Sequence, residues 1–187
     1  MITTTYLPLQ QELSKQINMI DLGLLSGTLW GDRNLGSLTT EEPGNYYRFG
    51  EIIPFTKTSS TYKLITSTNI AGTKYDAATS ILGGNYHIPT FEQIEELIDY
   101  CSWKWITNHN INGIEVTGPN GSHIFLPAGG YIGESLTKTD GLNTFGLYWS
   151  ELQSLKDFSA CLKFHPNHFA WDCFNPSFGF PIRPVIG

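Results

Sequence analysis

"NGIEVTGPNGSHIFLP", residues 112–127, alternates apolar and polar positions on either side of a Pro-Asn-Gly turn. Ile114 and Val116 share one face of the first arm, and Ile124 and Leu126 answer them from the second. Two-residue periodicity around a turn that tolerates positive φ marks an antiparallel hairpin. Just upstream, "HIPT" leads into a helix. Thr90 stands at the N-cap with Gln93 at the capping-box position, and Phe91, Ile94, Leu97, Ile98 and Cys101 trace one apolar face. A one-sided helix beside half-buried antiparallel strands predicts an α+β domain: one or two helices packed on short twisted strands.

Working outward, Glu92, Glu95, Glu96 and Asp99 fall on the opposite side of that helix, where a carboxylate row is a solvated face rather than acid–base machinery. Cys101 belongs to the apolar side and is expected to be a core thiol. Beyond the hairpin, "LPAGGY" turns the chain, and "GLYWS", "ACLKF", "FAWD" and "FPIRPV" read as short strands. Before the helix, "DLGLLSGTLWGDRNLGS" (21–37) reads as one strand and a glycine-permitted turn, followed by loops and short strands to about Thr73. Leu9, Leu13 and Ile17 follow Pro8 at four-residue spacing, which predicts a short docking helix in an N-terminal arm of residues 1–20 ahead of a domain spanning 21–187.

The chain has 187 residues, enough for one domain with a sizeable core. A net charge of −6 argues against a phosphate-binding surface, so nucleic acid is not an expected partner. Three cysteines permit at most one bridge, which excludes a disulfide-stapled scaffold. No segment is long and apolar enough for a membrane span, and the N-terminus lacks a signal-peptide pattern, so insertion is not expected. Display on a phage particle or cell surface would then proceed by another route. The sequence sets no oligomeric state.

Taken in order, "DLGLLSGTLWGDRNLGS", "GNYYRFGE", "YDAATSILGGNYHIPTFEQIEELIDYCSWKW", "NGIEVTGPNGSHIFLPAGGY", "YWS" and the closing "RPV" resemble the Fibrobacter succinogenes major paralogous domain family over roughly residues 21–187. The resemblance implies a C-type lectin-like fold and kinship with the variable proteins of diversity-generating retroelements. In those proteins adenine-directed mutagenesis replaces residues of a C-terminal stretch, and the replaced side chains form the ligand-binding face. Here that stretch would run from about Leu155 to Phe178, framed by Ala160, Leu162, Phe164 and Trp171. The family commonly has Arg where His87 stands and Ser where Glu151 stands. From Phe158 to Phe178 only Lys163 and Trp171 lie outside the residue types reachable by adenine replacement in an asparagine codon ending in a pyrimidine, so Lys163 would be fixed by the template.

Within that stretch "CLKFHPNHFAWDCF" (161–174) supports three readings. The first is zinc: Cys161, His165, His168 and Cys173 give C-x3-H-x2-H-x4-C, but the spacing matches no familiar knuckle, and a strand places Leu162 and Phe164 opposite Cys161 and His165. Calcium would have only Asp172, Asn167 and Asn175 as side-chain oxygen donors. The second is an enzyme of the sulfatase-modifying type, with Cys161 activated beside Lys163 and His165. The third is strand packing with a contact face. Leu162 and Phe164 turn inward, and Phe158, Cys161, His165, His168, Asp172, Cys173, Phe174, Asn175 and Phe178 are the candidate ligand-binding residues. That third reading expects a non-catalytic module without cofactor or metal, binding a protein or carbohydrate ligand on a cell or phage surface.

Overall fold

The computed structural model describes residues 16–56, 59, 61–65, 67–133, 139–153 and 157–187. Among these residues two helices, α1 (Ala77–Leu82) and α2 (Phe91–Tyr100), accompany four small sheets whose strand pairs are all antiparallel. The α+β class expected from the sequence is observed. The predicted helix over Leu9 and Leu13 lies outside the described residues; Ile17, the third residue of that stripe, is buried.

α2 forms where its end signals require. Thr90 accepts from the Gln93 amide at 3.2 Å, and the Gln93 side chain accepts from the Thr90 amide at 2.9 Å, closing the capping box. Ile94 and Leu97 are buried beneath it, while Glu96 departs from the expected solvated row by accepting from the Ser26 amide at 2.8 Å. The turn holding Ser26 joins β1 (Met19–Asp21) to β2 (Leu29–Gly31), two strands where the sequence suggested one. Gly23 and Gly27 take positive φ within that turn.

The hairpin at 112–127 is β5 (Ile111–Thr117) and β6 (His123–Pro127), with Ile114 opposite Leu126 and Val116 opposite Ile124. A further strand, β4 (Ser102–Asn108), pairs with the far edge of β5. The C-terminal β12 (Val185–Ile186) lies between β2 and β3 (Tyr86–His87), joining strands about 55 residues apart in one sheet. β7 (Tyr131–Ile132) and β8 (Thr139–Asp140) form a separate pair.

The remaining sheet has the order β11 (His168–Phe174), β10 (Ser159–His165), β9 (Gly146–Trp149). Core lies on both of its faces. Leu162, Phe164 and Tyr148 join Ile94, Leu97, Ile114 and Leu126 in one apolar cluster, whereas Leu147, Trp149 and Cys161 join Tyr47, Phe49 and Phe180 in a second. Strand alternation accounts for the division, since neighbouring residues point to opposite faces.

Arg183 locks this arrangement from the interior. It is 1% exposed, and its guanidinium donates to Asn34 Oδ1 at 2.8 Å and to the carbonyls of Gly31 and Phe125 at 2.8 and 2.7 Å. Asn34 in turn donates to Tyr148 Oη, which donates to the Pro127 carbonyl. Burial pushes the Arg183 pKa below its usual value and the Tyr148 phenol up to about 12. This polar chain fixes β9, and through it β10, against β2 and β6.

Candidate functional site

A hairpin of β10 and β11 closes through the two residues Pro166 and Asn167, and its register sets which side chains share a face. Cys161 pairs with Asp172, Lys163 with Ala170 and His165 with His168 on one side; Ala160 with Cys173, Leu162 with Trp171 and Phe164 with Phe169 on the other. The second side is held by stacked rings. Trp171 lies on Phe91 at 4.3 Å between centroids and Phe169 on Trp103 at 4.5 Å, extending the frame that Leu162 and Phe164 begin.

Three expected contact residues are placed differently from the sequence reading. Cys161 is 0% exposed, because the second apolar cluster covers the face that was expected to be wet. Phe174 and Phe178 are half-buried against the same cluster. Phe178 stacks on Tyr131 at 5.4 Å, and Phe174 meets Phe180 edge-on at 5.4 Å. They are supporting rings at the margin of the core, not free contact groups. The framing Trp171 is half-buried, and Cys101 is half-buried at the C-cap of α2 rather than fully enclosed.

The other candidates reach solvent. Phe158 is 44% exposed, His168, Cys173 and Asn175 are exposed, and His165 and Asp172 are partly so. Lys163 Nζ donates to Asp172 Oδ2 at 2.8 Å across the strands, and the Cys173 amide donates to Oδ1 at 2.8 Å. Partial burial acts to raise the Asp172 pKa, but these two hydrogen bonds and the lysine charge outweigh it and hold the carboxyl below its usual value.

The four potential zinc ligands do not converge. Cys161 and His165 stand four residue steps apart along the strand, about 13 Å at the usual rise, and Cys173 projects from the opposite face. Among the described residues no group of three or more His, Cys, Asp or Glu side chains is placed to hold one ion. All three cysteines are free thiols. Burial foremost, and then the charge of Asp172, pushes the Cys161 thiol well above its ordinary pKa, the opposite of what a thiolate nucleophile needs.

Beside Asn175 the surface opens into a groove of about 540 Å³, lined in part by Arg48, Phe55, Tyr62, Leu64 and Asp157. Arg48 clamps Glu51 through two hydrogen bonds of 2.7 and 2.6 Å, and its guanidinium lies 4.6 Å from the Phe55 ring centroid and 5.5 Å from that of Tyr62. Most of this wall comes from Arg48, Phe55, Ser59, Thr61, Tyr62 and Leu64, over a hundred positions from Asn175 and, among the described residues, outside helices and strands. Periodicity carries no signal for such a juxtaposition. Comparison with family models, curated proteins and solved structures gave no significant match to the chain.

Proposed function

We propose that the chain is a non-catalytic, C-type lectin-like binding module for receptor recognition or adhesion, the diversified variable protein of a diversity-generating retroelement. Its contact surface would be the face of the β10–β11 hairpin that carries His165, His168 and Asp172, together with the exposed Cys173 on the other side of the edge strand β11 and the adjoining Phe158 and Asn175. One observation carries this reading. Residues that reach solvent and residues that build the core interleave along a single hairpin, so the first set is replaceable while the second holds the backbone. The ligand is a protein or carbohydrate on a cell or phage surface. The test is to sequence the locus across many cells and examine its neighbourhood. Adenine-directed substitutions should fall at the codons of the exposed positions and spare Leu162 and Phe164, beside a near-copy of the segment and a reverse transcriptase gene. A clonal locus with neither neighbour would remove the diversification.

The groove favours a second reading, a fixed protein- or carbohydrate-binding domain. Its residues Arg48, Phe55 and Tyr62 lie outside the segment open to diversification, and they combine aromatic surface with polar groups in one concavity. Tyr62→Ala would abolish binding under this reading and leave a hairpin-borne contact intact.

A further inference from the structure

We infer that His165 and His168 form a two-imidazole site for one borderline divalent metal ion of the Zn2+, Ni2+ or Cu2+ class, at the tip of the β10–β11 hairpin. The inference rests on geometry alone and holds whatever the face binds. The two histidines are direct cross-strand partners and close the hairpin, so the backbone register fixes them side by side on one face. Their ring centroids lie 5.3 Å apart. An imidazole bound through one nitrogen at about 2.0–2.1 Å has its centroid about 3.2 Å from the metal, and two such rings at a tetrahedral angle are separated by about 5.2 Å. The pair therefore already stands at the spacing a shared ion requires.

The nitrogens are also available. Among the described residues neither ring makes a hydrogen bond or an ion pair, whereas His87 is engaged by the Ile88 and Gly187 carbonyls and His109 by Glu41. Two nitrogen donors, with no adjacent carboxylate among the described residues, select against Ca2+ and Mg2+, which take oxygen ligands. Asp172 cannot complete the set, being four residues along β11 from His168 and bonded to Lys163. The ion would keep its other coordination positions toward solvent, for water or for a donor atom of a bound partner. Because both ligands stand at a solvent-facing tip, folding would not depend on the metal.

The experiment is a Zn2+ titration of the full chain, followed by calorimetry and by NMR of the histidine side chains. One ion should bind per chain, and the His165 and His168 resonances should move with a common midpoint. His165→Ala and His168→Ala should each weaken binding by about tenfold or more, at least the loss seen when a mere supporting partner of a metal ligand is removed. Each variant should melt like the parent protein without metal, and Cys173→Ser should bind Zn2+ as the parent does. Either histidine variant keeping parental affinity, separate midpoints for the two rings, or loss of binding in Cys173→Ser would overturn the shared site.

Discussion

Adjacent positions on β10 should respond oppositely to truncation. Phe164 is 0% exposed, with its ring 5.9 Å from Tyr148 and 6.4 Å from Trp105 between centroids. Removing it leaves a cavity under the hairpin that the stacked rings of Trp103, Phe169, Phe91 and Trp171 are not free to fill. Phe164→Ala should therefore cost about 3–5 kcal/mol. In a domain of this size each kcal/mol moves the melting temperature by about 2–4 °C, so a fall of about 6–20 °C is expected. The next residue, His165, turns the other way; among the described residues its half-buried ring makes no hydrogen bond or ion pair, and its ring partner is His168. His165→Ser should stay within about 0.5 kcal/mol, a shift of about 2 °C at most. Circular dichroism melts of both variants at one pH and concentration decide the matter. A Phe164→Ala protein melting within 2 °C of the parent, or a His165→Ser protein losing as much as Phe164→Ala, would refute the division of β10 into frame and face.

Other substitutions probe the same division. A mild thiol reagent on the native protein should label Cys173 first, at one equivalent per chain by mass spectrometry; Cys161 is enclosed, and burial and then Glu96 push the Cys101 thiol up to about 11. Gly146→Ala should destabilise by about 1–3 kcal/mol in denaturant titration, because the added Cβ would overlap the Phe164 ring. Glu151 is buried and its pKa is raised, by burial first and with a contribution from Glu92, although the Ser150 hydroxyl donates to it at 2.7 Å. A carboxyl that binds its proton more tightly when folded favours folding while protonated. Stability should thus fall as pH rises from the unfolded value of about 4.3 through the higher folded value, and then level off. Glu151→Gln should remove that decline and melt higher than the parent at pH 7, as measured by melts from pH 4 to 8.

The parts of the fold legible in the sequence are those whose signals are local. Thr90 and Gln93 cap α2 within one turn, and the register of Ile114 against Leu126 follows from alternation across a short loop. α1 escapes such reading. It has six residues, and the Asp76 carboxylate that caps it also accepts from the Ile88 amide twelve positions on, a tie no local window contains. β4 was hidden for a related reason: Trp103 and Trp105 alternate toward the core, but they follow α2 without a turn residue between them.

Cys161 shows where the reading of the candidate site stopped. Alternation assigns a residue to a face, but it does not say whether that face is covered. The cover comes from Tyr47, Phe49 and Phe180, outside the sheet, which join Trp149 on the neighbouring strand β9. A hint was nonetheless present, since Ala160, Cys161 and Leu162 form a consecutive apolar run, the pattern of a strand buried on both sides. The run ends at Lys163, where β10 passes out from under the second cluster while Phe164 stays within the first. One strand thus changes from two-sided to one-sided burial along its length. The sheltered half anchors the hairpin between two cores, and the half beyond it can change its outward side chains without disturbing either. Phe174 lies opposite Ser159, back at the sheltered end, and Phe178 follows on the next turn. A face that varied in sequence would therefore be free at His165, His168 and Asp172, and would have to retain large apolar side chains at 174 and 178, where its margin is also the lid of the second core.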